Sequence, residues 1–236
     1  MTHEIRRNII LTLIHRPQAQ FNELSNVQSN KLSYHLNKLI DEGIIQRTDK
    51  GYELTSEGRT LATNIEGDTG ASVRYPTQIV MIAARDENGR ILAQQRLKEP
   101  YYGYWGLPAG KLNFGWNPEE RAKRDLYEET GLTAGNIRFC AIEYIKTYEE
   151  DTLLHHHIMH VYEATNCTGE LIKETHKAKN KWMSVEEYRL QQRFPGDWIF
   201  KWLSQKDFFV VEGELYMKEK AFVGAKTVSI QQLTQH

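Results

Sequence analysis

The stretch Gly110 to Leu132, GKLNFGWNPEERAKRDLYEETGL, carries both a helix start and a helix stop, and constrains the chain more than any other segment. Asn117 is an N-cap residue, Pro118 suits the first helical position, and Glu120 stands at capping-box spacing. Gly131 falls where a left-handed residue ends a helix. Between these marks Ala122 and Leu126 share one face, while Asp125, Glu128 and Glu129, at i, i+3 and i+4, share another. Three carboxylates that close repel one another unless a cation sits among them. Hard divalent ions, Mg²⁺ especially, are held by a few carboxylate oxygens together with substrate phosphates. A plainer reading stays open: Glu120–Arg124, Arg121–Asp125 and Arg124–Glu128 are i,i+4 pairs that offset the repulsion on a solvated face.

With 236 residues the chain suits one large or two small domains, and 40% hydrophobic with 26% charged residues is the balance of a globular protein. No apolar run approaches the ~20 residues needed to span a bilayer. The start, MTHEIRRNII, lacks the apolar core of a secretory signal, so a cytoplasmic protein with no membrane partner is expected. Cys140 and Cys167 make neither a disulfide framework nor a metal cluster. The net charge of −1 means that nucleic-acid affinity, if present, comes from a local patch.

The opening stretch resembles the Nudix box, G-x5-E-x7-R-E-U-x-E-E-x-G-U with U aliphatic. Gly110, Arg124, Leu126, Glu128, Glu129, Gly131 and Leu132 fall on its positions; Trp116 replaces the first glutamate and Asp125 the one after the arginine. Tyr104–Ala109 looks like the strand and turn before the box, and Lys181–Glu187 like the segment that closes the domain, so the resemblance covers roughly Tyr75 to Leu190. It implies an α/β/α sandwich on a mixed sheet. It also implies Mg²⁺ or Mn²⁺ held by Asp125, Glu128, Glu129 and the Ala109 carbonyl, with Arg124 orienting a glutamate, so that Arg124, Asp125, Glu128 and Glu129 form the catalytic set. Asp125 draws its carboxylate back by one methylene, roughly 1.5 Å, and misplacements of that size cost on the order of 100-fold in rate. Trp116 removes a carboxylate that in the family orients the arginine. Arg96, Trp105 and Gly110 are expected to meet substrate, Arg96 through bidentate contact with phosphate.

Ahead of the box, apolar periodicity predicts helices over Thr2–His15 and Ser29–Glu42, with a short one near Phe21–Leu24. Leu32, Leu36, Leu39 and Ile40 form the expected buried stripe of the second long helix. Two short strands, around Ile44–Arg47 and Tyr52–Leu54, flank a turn, and Thr55 caps a last helix. Three helices and a hairpin is the order of a winged helix-turn-helix, and YELTSEGR resembles the wing-to-helix junction of DNA-binding regulators of that class. On that reading Asn30, Lys31, Tyr34, Asn37 and Lys38 face the major groove of double-stranded DNA, and Arg47 and Lys50 form the wing. Residues 1–64 hold eight Lys/Arg against seven Asp/Glu, so use of the module for dimerisation or protein contact stays open.

Residues 65–75 read as a linker. Thr77–Ala84 and Ile91–Gln95 read as strands of a hairpin around Asn88-Gly89. Tyr101, Tyr102, Tyr104 and Trp105 crowd the approach to the box, available for stacking on a base or for packing. Ile137–Tyr148 and His156–Ala164 read as strands; there His155 and His157 share a face while His156 points away. Glu174, or equally Glu149, Glu150 or Asp151, offers a carboxylate outside the box. A short helix from Glu186, a segment Asp197–Ser204 and strands at Phe208–Met217 and Ala221–Ile230 complete the chain.

The expectation is an α+β protein: a winged helix-turn-helix over 1–64, a linker, and a Nudix domain with a C-terminal extension over 76–236, assembled as a homodimer. The expected function is Mg²⁺-dependent hydrolysis of a nucleoside diphosphate linked to another moiety, such as an ADP-sugar, coupled to DNA binding. The alternative is a non-catalytic regulator that senses a nucleotide-sugar.

Overall fold

The computed structural model describes residues 3–65, 74–204 and 206–234. The chain divides into two compact units, Met1–Tyr75 and Pro76–His236. Thr2 and residues 66–73, most of the expected linker, lie outside the described residues.

The first unit runs α1 (Glu4–His15), a 3₁₀ turn (Phe21–Glu23), α2 (Ser29–Asp41), β1 (Ile45–Thr48), β2 (Gly51–Leu54) and α3 (Ser56–Ala62). Ile9, Ile10 and Leu13 of α1 meet Leu32, Leu36 and Leu39 of α2 in one core, closed by Ile45 and Leu54 of the β1–β2 hairpin. Thr55 caps α3, its hydroxyl accepting from the Gly58 N–H at 3.0 Å. Gly51 is needed as glycine: its φ is +123°, and a Cβ there would lie 2.4 Å from the Ala19 carbonyl oxygen. One expectation for α2 fails. Ile40 is 37% exposed, and His35 is buried instead. Positions 35 and 40 flank the stripe on opposite sides, about 60° and 80° round the helix from Leu32, so periodicity alone does not decide which of them is covered. The His35 ring rests 4.0 Å from that of His3. Burial, then the neighbouring His3 and Arg6, lower its pKa.

The second unit continues with β3 (Thr77–Ala84), β4 (Ile91–Arg96), β5 (Trp105–Gly106), β6 (Ala109–Lys111), α4 (Pro118–Thr130), β7 (Leu132–Thr133), β8 (Asn136–Glu149) and β9 (Thr152–Thr165). There follow β10 (Thr168–Gly169), β11 (Ala178–Met183), α5 (Val185–Arg189), α6 (Ile199–Ser204), β12 (Phe208–Lys218) and β13 (Ala221–Leu233). The main sheet is mixed, in the order β13-β12-β8-β9-β3-β6, with parallel pairing of β12 to β8 and of β3 to β9. A smaller sheet, β11-β4-β5, is antiparallel.

Strand alternation sorts side chains onto the two faces of the main sheet. On β3, Val80, Ile82 and Ala84 join Ala122 and Leu126 of α4, whereas Met81 and Ala83 face a core containing Tyr188 of α5 and Trp202 of α6. The long β8–β9 hairpin exceeds its expected limits at both ends, and β13 runs to Leu233. The expected β3–β4 hairpin is not formed. Its turn is present, with Gly89 at φ +75° and Asp86 accepting from Asn88 and Arg90 N–H groups. After the single bridge Arg85↔Ile91, however, the strands enter different sheets. Both edges of β3 are taken, by β9 and by β6, so β4 pairs with β11 and β5 instead.

Glu143, on β8, is buried among apolar side chains, and its carboxylate accepts from the Trp202 indole N–H at 2.8 Å. Burial pushes its pKa up to about 7, and the indole bond only partly offsets this. The folded state therefore holds a proton between pH 4.5 and 7 that the unfolded chain releases, and the contribution of Glu143 to stability is greatest below pH 4.5 and falls as pH rises to 7. Denaturant titrations followed by tryptophan fluorescence should show wild type losing about 3 kcal/mol relative to Glu143→Gln across that window. Parallel profiles for the two proteins would refute this.

Candidate active site on helix α4

The local sequence builds α4 as expected. Asn117 Oδ1 accepts from the N–H groups of Glu119 and Glu120 at 2.9 and 3.3 Å, and Gly131 stops the helix at φ +75°. With Ala122 and Leu126 held in the core, Asp125 is buried and Glu129 partly so, at the edge of the docked face, while Glu128 stays in solvent. Burial raises the pKa of Asp125, against the pull of Arg121. Glu129 is raised by burial and by Asp125, against a hydrogen bond from Gln94.

Each carboxylate has a different partner. Arg121 grips Asp125 with two bonds, Nε to Oδ2 at 2.9 Å and Nη2 to Oδ1 at 2.8 Å. Arg124 Nε lies 2.7 Å from Glu128 Oε1, in a pair about half exposed on each side. Glu129 Oε2 accepts from Gln94 Nε2 at 3.1 Å. Gln94 is buried and directly opposite Asn180 across the β4–β11 pair. Gln94 Nε2 also donates to Asn180 Oδ1 at 3.1 Å, and Asn180 Nδ2 donates to the carbonyls of Glu129 and Ile172, both at 2.8 Å. Both amide hydrogens of each residue are thereby used, so the network is satisfied and both amides are held in one orientation.

Trp116, which stands where the box has a glutamate, lies beside the arginines of α4. Its ring lies 4.9 Å from the Arg124 guanidinium and 5.9 Å from that of Arg121. At those distances the π face attracts both guanidiniums. Gly110, on β6 opposite Val80, leaves room for Asp125: a Cβ at 110 would lie 2.3 Å from Asp125 Oδ2. Ala109 precedes it in the same strand, opposite Met81.

Arg96 ends β4, half-buried, with Nε donating to the Pro100 carbonyl at 2.9 Å; its charge is felt by Tyr101 and Glu129. Lys98 and Lys177 also act on Glu129 through space, so three cations lie within electrostatic reach of that carboxylate. Trp105 packs partly buried against the core. Tyr104 is buried, its hydroxyl accepting from the Phe222 N–H at 3.2 Å, and Tyr101 packs edge-on to Phe194; only Tyr102 of the aromatic group is freely exposed. His155 and His157 stack, with ring centroids 5.6 Å apart, while His160 bonds Gln78 at 2.9 Å. Glu174 is exposed and lies 3.6 Å from Lys179. In the first unit, Asn30, Lys31, Tyr34, Asn37 and Lys38 are all exposed along α2, as are Arg47 and Lys50 on the hairpin.

In kind, the α4 donor set suits a hard divalent ion: oxygen donors only, two of them raised by burial and by neighbouring carboxylates. In disposition it is not ready-made. Asp125 and Glu128 are paired with arginines, and among the described residues no three His, Cys, Asp or Glu side chains converge as a cation site.

Residues 75–203, more than half of the chain, match the NUDIX domain family model, and the chain belongs to that family. Residues 1–65 match a domain of unknown function, DUF7347. The chain is 26% identical over 101 residues to an uncharacterized Nudix hydrolase, YvcI, of Bacillus subtilis, covering 43% of this chain and 64% of that protein. It is 34% identical over 83 residues to the ADP-ribose pyrophosphatase of the same organism, covering 35% and 45%. The chain thus spans less than two thirds of the length of either relative. A MutT protein structure from Bacillus halodurans superposes with a TM-score of 0.53 at 24% identity, covering 66% of this chain and 97% of that one, and shares the fold. Among the described residues no helix is long and apolar enough to cross a membrane.

Gln94 and Asn180 were not singled out from sequence, although Gln94 has the parity of buried Leu92 on β4. Gln94→Leu leaves the Glu129 carboxylate and the Asn180 carbonyl short of a donor, and should lower stability by about 1–3 kcal/mol at unchanged denaturant m-value. A midpoint equal to wild type would show that the network does not hold Glu129.

Proposed function

We propose that the chain is a divalent-metal-dependent pyrophosphohydrolase acting on a nucleoside diphosphate linked to another moiety, of the ADP-sugar type. The observation that carries this reading is the buried Asp125 and partly buried Glu129 on α4, with Arg96, Lys98 and Lys177 within electrostatic reach of Glu129. Carboxylates beside phosphate-seeking cations suit a bridging metal and a pyrophosphate. The 34% identity to an ADP-ribose pyrophosphatase supports the substrate class. Nudix hydrolases generally depend on divalent metals; here Asp125, Glu128, Glu129 and the Ala109 carbonyl would hold Mg²⁺ or Mn²⁺. Such an ion supplies Lewis acidity and a water activated for attack on phosphorus. Arg96 takes phosphate oxygens, aided by Lys98 and Lys177. Gln94 and Asn180 keep Glu129 aimed, and Trp116 keeps Arg124 in place.

The N-terminal unit is read as a winged helix-turn-helix that binds double-stranded DNA. The exposed polar face of α2, opposite its buried Leu32, Leu36 and Leu39, supports this, as does the succession of α2, the β1–β2 hairpin and α3. Lys31→Ala with Lys38→Ala should weaken DNA binding roughly tenfold and reduce its salt dependence. Gel-shift titrations at two salt concentrations measure both, and unchanged affinity removes α2 from the interface.

A second reading is favoured by the arginines seated on Asp125 and Glu128: a non-catalytic sensor of a nucleotide-sugar whose ligand and DNA affinities are coupled reciprocally. In either reading the domains are 1–64 and 76–236, joined by a linker, and the protein is a cytoplasmic homodimer. Purified protein is incubated with nucleoside diphosphate sugars, dinucleoside polyphosphates and NTPs plus Mg²⁺ or Mn²⁺, and phosphate is measured after coupling to a phosphatase. Turnover that falls at least 100-fold in Glu128→Gln/Glu129→Gln is expected. No turnover, with the same compounds still raising the melting temperature, replaces the hydrolase with the sensor.

A further inference from the structure

We propose that Arg121 is a built-in competitor for the divalent cation at the box, and that its ion pair with Asp125 sets how tightly this protein binds metal. The inference rests on the metal-site reading above and names a residue that the box pattern leaves unspecified.

Two arginines lie on proposed metal ligands, and they are not equivalent. The Arg124–Glu128 pair is 48% and 50% exposed, so water and salt screen it. The Arg121–Asp125 pair is 18% and 3% exposed and has two parallel bonds. A bidentate, shielded guanidinium–carboxylate pair is among the stronger charge contacts available to a protein, and parting it strands a charge. Arg121 therefore dominates. An ion approaching Asp125 finds its carboxylate oxygens at 2.8 and 2.9 Å from guanidinium nitrogens and competes with them for the same two oxygens.

Both departures from the box serve this contact. Asp125 Oδ2 already fills the space beside Gly110, where even a Cβ would sit 2.3 Å away. A glutamate at 125 would drive its carboxylate beyond this seat. Trp116 offers the two guanidiniums a π face in place of a carboxylate. A glutamate at 116 would compete for Arg121; an indole steadies it and leaves its hydrogen bonds to Asp125. The box is thus neutralised from within.

The test uses the full chain and Mn²⁺ alone, with free Mn²⁺ measured by electron paramagnetic resonance and folding checked by thermal melting. Arg121→Gln should tighten Mn²⁺ binding on the order of tenfold. Trp116→Glu should tighten it in the same direction by drawing the guanidiniums off Asp125, and it carries the test if Arg121→Gln fails to fold. Arg124→Gln should change it far less. Adding Glu129→Gln to either tightened variant should abolish the gain, which places the ion at α4. Wild-type affinity in both Arg121→Gln and Trp116→Glu overturns the inference and leaves the hydrolase reading standing. Absence of Mn²⁺ binding in wild type and all variants overturns both.

Discussion

The packing of Ala122 and Leu126 against Val80, Ile82 and Ala84 fixes the rotation of α4 about its axis. Everything at the candidate site follows from that rotation. With positions 122 and 126 buried, positions 125 and 129 lie at the contact margin, where water is scarce enough to raise carboxylate pKa values and β4 is close enough to supply amides. A rotation of one residue's worth away from the sheet would turn both Asp125 and Glu129 toward solvent, and the polar chain from Gln94 to Asn180 would end on nothing. The caps contribute by fixing where the helix starts, so the phase cannot slide along the sheet.

What the sequence revealed divides by range. Features set within one or two helical turns were legible: the Asn117 and Thr55 caps, the Gly131 stop, the Arg121–Asp125 and Arg124–Glu128 spacings, and the stacked parity of His155 and His157. Features that depend on which distant strand arrives were not. Asn88-Gly89 predicts a hairpin correctly as a turn, but cannot reveal that β9 and β6 occupy both edges of β3. Gln94 and Asn180 are unremarkable until β4 and β11 align them. Glu143 shares the parity of buried Ala141 and Ile145, but only the arrival of α6 supplies the Trp202 indole that its carboxylate meets. His35 and Ile40 exchanged places because a stripe's margin is decided by the neighbouring helix, not by periodicity. At Trp116 the box pattern shows a missing carboxylate, but not that the ring lies beside the Arg124 guanidinium.

The charges around α4 divide into two systems that barely overlap. On the solvent side, Arg121 and Arg124 neutralise carboxylates within their own helix, over a shared indole. On the sheet side, Glu129 answers to neutral amides and to more distant cations from loops flanking β4 and β11. The first system is local and set by i,i+4 spacing; the second needs the tertiary fold. In the metal site proposed above, the first system sets the affinity for an ion and the second the aim of the carboxylate.

The parallel pairing of β12 with β8 bears on where this folding unit ends. The family match closes at residue 203, yet Phe209, Val211 and Leu215, beyond that point, lie in the same core as Trp202 and Ile145. A fragment cut at the match boundary would strip one flank of β8 of its hydrogen-bonding partner and open that core to water. The homologous segment and the autonomous segment are therefore different lengths of chain, and the last two strands belong to the inner architecture of this protein rather than to an appendage.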